Sequence, residues 1–156
     1  MDQLFWVIPS VLAGRAGPDR APWRLERLRE AGIGAVLSVN DGLLCHPEDF
    51  RAQRIAYTCV PLSPNAPPRA GDEETCRKAL PLAYAFVQEQ AQSGHATMVH
   101  CSSGKDRTGL FLAYYLVRKQ ALSVEAAIEE IRRVRPIAFS APGWDAFAVE
   151  VLRRCS

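Results

Sequence analysis

Short apolar runs alternate along the chain with longer segments whose apolar residues return every three or four positions, a pattern that predicts strands interleaved with helices. Leu4 to Ile8 predicts an edge strand followed by a Gly/Pro turn, and Trp23, Leu25 and Leu28 predict a short helix ending near Gly32. Ile33 to Val39 predicts a buried strand. His46-Pro47-Glu48-Asp49 reads as a helix start, with proline in the first turn and acids at the positive dipole end, leading to a strand over Ile55 to Val60. Pro61 to Gly71 is a proline-rich loop. Asp72 is expected to cap a long helix reaching about Ser93, with Leu80, Ala83, Tyr84 and Val87 facing inward and Pro81 kinking or interrupting it. Ala96 to His100 predicts a second buried strand, and Gly109 to Gln120, apolar on every face, a central helix. Ser123 caps the next helix, whose inward residues are Ala127, Ile128, Ile131 and Val134. Pro142 opens the last, with Trp144, Phe147 and Val151 on one side. The fold class is α/β, a single central, mostly parallel sheet flanked by helices, in one domain over residues 1–156.

Composition narrows the function classes. At 48% hydrophobic and 23% charged, the 156 residues match an ordinary folded domain and exclude disordered or fibrous classes. Lys plus Arg is 19 against 17 for Asp plus Glu, and a net +2 is too weak to imply a nucleic-acid partner, so any useful positive charge is local. The longest apolar stretch, Leu110 to Val117, falls far short of the roughly 20 residues of a membrane span, so no integral membrane association is expected. The N-terminal segment carries Asp2 where a signal peptide carries base, which reads as a cytoplasmic protein. Five cysteines without a C-x-x-C pair argue against a disulfide framework and a zinc site. Reduced thiols are expected, one of them reactive, with no metal or other cofactor.

The chemistry concentrates in His100-Cys101-Ser102-Ser103-Gly104-Lys105-Asp106-Arg107-Thr108-Gly109. With five Cys and sixteen Arg, about 0.5 cysteine-x5-arginine pairs arise by chance, so spacing alone decides nothing. Cys45 and Arg51 form such a pair, but the carboxylates of Glu48 and Asp49 and the missing amide proton of Pro47 disqualify it as an anion cradle. The stretch at Cys101 leaves the carboxyl end of a buried strand and enters a helix N-terminus, a place where amide groups converge on an oxyanion. Ser102, Ser103, Gly104 and Lys105 supply amides, and Gly104 admits backbone angles closed to other residues. A thiol there, facing Arg107 and Lys105, ionises below its ordinary pKa, which makes Cys101 a nucleophile for phosphorus. Arg107 can hold two phosphoryl oxygens with its planar fork, and Thr108 can hydrogen-bond the sulfur as it leaves. His100 reads as a residue that orients the loop.

At these residues the chain resembles the cysteine-dependent protein tyrosine phosphatase superfamily, whose signature H-C-x-x-G-x-x-R-[ST]-G is met at every specified position. The small size and the pair Arg135-Pro136 after the following helix are similar to its compact dual-specificity branch. The resemblance implies a metal-free phosphate monoester hydrolase working through a phosphocysteine. Its substrates would be a phosphorylated protein or a small phosphate monoester. Lys105-Asp106 is similar to a subgroup acting on phosphotyrosine and phosphoinositides, which adds inositol phosphates. Compact members carry a general acid in P-x-x-D-x-x-x-P, but the matching stretch Pro61-Leu62-Ser63-Pro64-Asn65-Ala66-Pro67-Pro68 has proline at the acid position. A water-positioning glutamine is missing near Phe139-Ser140-Ala141. The rival reading is therefore a phosphate-binding module without efficient catalysis.

Asp106 is the first choice for the missing acid, Asp41 the second because it follows a buried strand toward the same face, and the cluster Asp72-Glu73-Glu74 the third. The other groups have plain readings. Cys59 and Cys76 are small hydrophobes, Cys45 a loop residue, Cys155 a terminal thiol, and His46 and His95 surface histidines. Trp6, Trp23 and Trp144 are core or boundary aromatics. Arg132, Arg133 and Arg135 suit a helix C-terminus, with recruitment of anionic substrates the minority reading.

Overall fold

The computed structural model describes residues 1–155. Strands β1 (Phe5–Ile8) and β2 (Leu12–Arg15) form an antiparallel hairpin; β3 (Ile33–Ser38), β4 (Ala56–Cys59) and β5 (Ala96–His100) complete a sheet in the order β1-β2-β5-β3-β4. Every pairing beyond the hairpin is parallel. The helices are α1 (Leu25–Glu30), α2 (Pro47–Ala52), α3 (Asp72–Gln92), α4 (Arg107–Gln120), α5 (Val124–Val134) and α6 (Trp144–Cys155).

Neighbouring strand residues point to opposite faces, and both faces here are covered. Leu12, Leu37 and Val99 join the core formed with α3 to α6, whereas Ala13, Val36 and Met98 pack with Leu28 of α1 and Phe50 of α2. This double covering is why β3 and β5 are buried along their whole length. α4 is buried continuously from Thr108 to Leu116, as its all-round apolarity predicts, and Ser123 caps α5 by accepting from the Ala126 N–H at 3.1 Å.

Three expectations need correction. The segment read as a turn after β1 contains β2, an interior strand disguised by small and charged residues. At Gly14 a Cβ would collide with the Phe5 ring, and Arg15 is fully buried. Its guanidinium is satisfied by carbonyls: Nε donates to Asp2 O at 3.0 Å and Nη1 to Ala16 O at 3.0 Å and Ala21 O at 2.7 Å. Asp72 does not cap α3. Gly71, at φ +91°, takes that position, and the Asp72 carboxylate accepts from the Arg69 N–H at 2.6 Å and the Asn65 side chain at 3.0 Å. Nor does Pro81 interrupt α3, which runs on for 21 residues. Pro81 and Leu82 lie on the solvent side while Leu80, Ala83 and Tyr84 are buried, so the carbonyl left without a partner faces water and the packed face keeps the helix whole. No described helix is long and apolar enough to cross a membrane.

Candidate active site

The loop from Cys101 to Asp106 joins the carboxyl end of β5 to the start of α4. Its shape is set from outside, because its carbonyls are drawn outward one by one. Ser102 O accepts from the Gly17 N–H at 2.8 Å, Ser103 O from Arg135 Nη2 at 2.6 Å, Lys105 O from the Phe139 N–H at 3.4 Å, and Cys101 O from His100 Nδ1 at 3.0 Å. Among the described residues, no protein group accepts from the amides of Ser102 to Arg107. A ring of carbonyls facing out leaves amides to converge inward at a helix N-terminus, the arrangement that binds an oxyanion. Gly104 sits at φ +65°, and a Cβ there would lie 2.5 Å from the Arg15 backbone. The glycine is required both by its angle and by the close approach of β2.

Cys101 is 1% exposed, with its sulfur accepting from Thr108 Oγ1 at 3.1 Å. Arg107 is anchored by donating from Nε to Ser63 O at 2.8 Å, and its guanidinium lies 5.0 Å from the Trp144 ring centroid. Trp144 is in turn fixed by its indole N–H, which donates to Asn65 O at 2.8 Å. The proline-rich segment therefore orients Arg107 through a carbonyl, although it carries no acid.

His100 is fully buried, and burial pushes its pKa below the usual histidine value. Because Cys101 O can only accept, Nδ1 carries the proton. The neutral ring then accepts at Nε2 from Ser38 Oγ at 2.6 Å, and Ser38 accepts in turn from the Tyr57 hydroxyl at 2.7 Å. Trp23 packs edge-on against the imidazole at 5.0 Å. The result is a directional chain, Tyr57 to Ser38 to His100 to the Cys101 carbonyl.

The acids separate by place. Asp106 is buried, its side chain 3% exposed; Oδ1 accepts from the Ala141 N–H at 3.2 Å and Oδ2 lies 3.4 Å from Lys105 Nζ. Lys105 also donates to Ser140 Oγ at 2.9 Å, so its ammonium is engaged on this side of the loop. Asp41, at φ 60° ahead of a short 3-10 turn (Gly42–Leu44), lines a separate cleft with Ser102 and Asp19. The Asp72 cluster stands at the start of α3.

Sequence reasoning missed three residues. Arg135, read as a helix-end charge, reaches into the loop. Burial lowers its pKa and the nearby Cys101 sulfur opposes that fall. Arg20 donates from Nε to Ser102 Oγ at 3.3 Å, and Asp19 stands beside it in the chain. Only Arg135 had a usable signal, the proline that follows it. The remaining cysteines are unpaired, with burial pushing Cys45, Cys59 and Cys155 up and Cys76 up to about 11, so these thiols stay protonated. Among the described residues no group of three or more His, Cys, Asp or Glu is placed to hold a metal ion.

Comparison with known proteins gives a consistent picture. Residues 21–144 match the family model described as dual specificity phosphatase, catalytic domain. The chain is 27% identical over 113 residues to the phosphatidylglycerophosphate phosphatase PTPMT2 of Arabidopsis thaliana, which covers 70% of this chain and 46% of that protein. It is 29% identical over 140 residues to dual specificity phosphatase 28 of Homo sapiens, covering 88% and 71%. The chain thus spans about half the length of the first relative. Among solved structures it is similar in fold to Tk-PTP in the active form, with a TM-score of 0.76 at 18% identity over 99% of this chain and 96% of that one. For human DUSP28 the TM-score is 0.73 at 22% identity, over 99% and 95%.

Proposed function

Since the chain belongs to the dual specificity phosphatase catalytic-domain family, we propose that it is a cysteine-dependent protein tyrosine and dual-specificity phosphatase that hydrolyses phosphate monoesters through a phosphorylated Cys101. The observation that carries this reading is the loop whose Cys101, Ser102, Ser103 and Lys105 carbonyls are held outward around a buried sulfur that accepts a hydrogen bond from Thr108. The phosphoryl oxygens occupy the ring of amides from Ser102 to Arg107, and Arg107, fixed by Ser63 and Trp144, holds two of them as charge develops. Cys101 attacks phosphorus, the P–O bond to the ester oxygen breaks, and that oxygen departs with a proton from Asp106. Water then displaces the thiolate, which Thr108 steadies as leaving group. For Asp106, the Ala141 amide holds Oδ1 and Lys105 Nζ lies 3.4 Å from Oδ2, which fixes the carboxyl group in the loop beside Arg107. No metal enters this scheme. Five free thiols suit a reducing compartment, and we place the reaction in the cytoplasm, in one catalytic domain.

Release of p-nitrophenol from its phosphate tests the reading: wild type should turn over and Cys101→Ser should be inactive. Phosphate binding without turnover by the wild type would instead make this a phosphate-binding module. A second reading, a phospholipid or inositol phosphate monoester as substrate, is supported by the likeness to PTPMT2.

A further inference from the structure

Beside the phosphate loop, opening at Ser102, lies a cleft of about 890 Å³. It is far larger than a phosphoryl group or a single phenyl ring requires and falls in the range of sites that bury drug-sized ligands. One wall is the 3-10 turn, whose adjacent Leu43 and Leu44 are 98% and 47% exposed, so that two apolar side chains stand in solvent side by side at the cleft. The turn is locked in place: a Cβ on Gly42 would collide with Cys59 Sγ, and the Cys45 N–H closes the turn on Gly42 O at 3.1 Å. Pro47 and Pro61 continue the apolar lining, so the surface next to the cup is preformed and greasy.

Its charges are equally specific. Asp19 and Asp41 line the cleft, and among the described residues neither forms an ion pair. The other titratable groups along it, Cys45, Cys59 and Tyr57, are held in their neutral forms by burial. Arg20, bonded to Ser102 Oγ, is the neighbouring cation and stands at the phosphate end. A ligand body running from the cup into this cleft therefore meets apolar walls and two carboxylates, which repel a second anion and tolerate neutral or hydroxyl-bearing groups.

Building on the phosphatase reading, we propose that this cleft receives the organic body of the substrate and selects phosphate monoesters that carry a bulky, apolar, uncharged group. Such a body is a fused aryl or lipid-like group, not an acidic peptide.

The test measures calorimetric binding to the Cys101→Ser protein of phenyl phosphate, 2-naphthyl phosphate, 6-carboxy-2-naphthyl phosphate and n-octyl phosphate, alongside wild-type turnover of the same compounds. 2-Naphthyl phosphate should bind about tenfold tighter than phenyl phosphate, the scale of a well-filled apolar subsite, and the carboxylated analogue should lose that gain. Octyl against naphthyl distinguishes a lipid-like from an aryl body. Adding Leu43→Ser or Leu44→Ser, both on an exposed turn, should bring the naphthyl-to-phenyl ratio close to one. Asp19→Asn with Asp41→Asn should restore the carboxylated ligand. A ratio near one in the parent, a ratio unmoved by either serine, or tighter binding of a phosphotyrosine peptide with acidic flanks would overturn the proposal. Because binding is read without turnover, selective binding with no wild-type hydrolysis would sink the phosphatase reading and leave the cleft standing.

Discussion

Asp106 and Arg107 follow one another in the chain yet are held by opposite walls of the site, Asp106 by Ala141 and Lys105 and Arg107 by Ser63 and Trp144. In the proposed mechanism that division gives one residue the departing oxygen and the next the phosphoryl group. Asp106→Asn should therefore slow hydrolysis of alkyl phosphates by about 100-fold or more, the usual worth of a general acid, and that of p-nitrophenyl phosphate only a few-fold, since its leaving group needs little protonation. Steady-state kinetics on the two substrates decides the matter. Equal losses would assign Asp106 to holding the loop against Ala141 and move the search for a donor to Asp41 and Asp19.

Among the elements, α3 carries an avoidable defect. Pro81 removes one backbone hydrogen bond on the exposed side of a 21-residue helix. Pro81→Ala should raise unfolding stability, by up to about 3 kcal/mol, as read from urea denaturation. No gain would mean that the helix has already relaxed around the ring. The same element shows what the sequence could and could not tell. Helical spacing located α3, α5 and α6, and apolar runs located β3 and β5, because each packs through one continuous pattern. β2 escaped because its residues answer to particular neighbours: Gly14 to the Phe5 ring and Arg15 to carbonyls of a distant turn. The signature pointed to Cys101, Arg107 and Thr108 since the roles proposed for them follow from adjacency along the loop. Arg135, Ser63 and Trp144 act on that loop from other segments, and spacing along the chain holds no trace of such contacts.

On the scale of the whole molecule, His100 links the sheet, the Arg15-anchored turn and the loop while remaining neutral and buried. Burial lowers its folded pKa, whereas the unfolded chain takes up a proton near the ordinary value of about 6.5. Between those two values the unfolded state binds more protons, so the histidine's contribution is complete above about pH 6.5 and is lost as pH falls through the folded value. The melting temperature should thus decline from about pH 7 to about pH 5 more steeply in the parent than in His100→Asn. Parallel slopes would show that this imidazole is not the group responsible. The outward-held carbonyls have a consequence for how the protein comes into being. Three of the groups acting on the loop, Arg135, Phe139 and Ala141, are made after the signature itself. A ribosome that has just translated Arg107 therefore carries every reacting atom but no site. In the proposed mechanism the thiol gains its cradle only when residues 135–141 have been synthesised and folded back upon it, so catalysis waits on a segment made after the nucleophile.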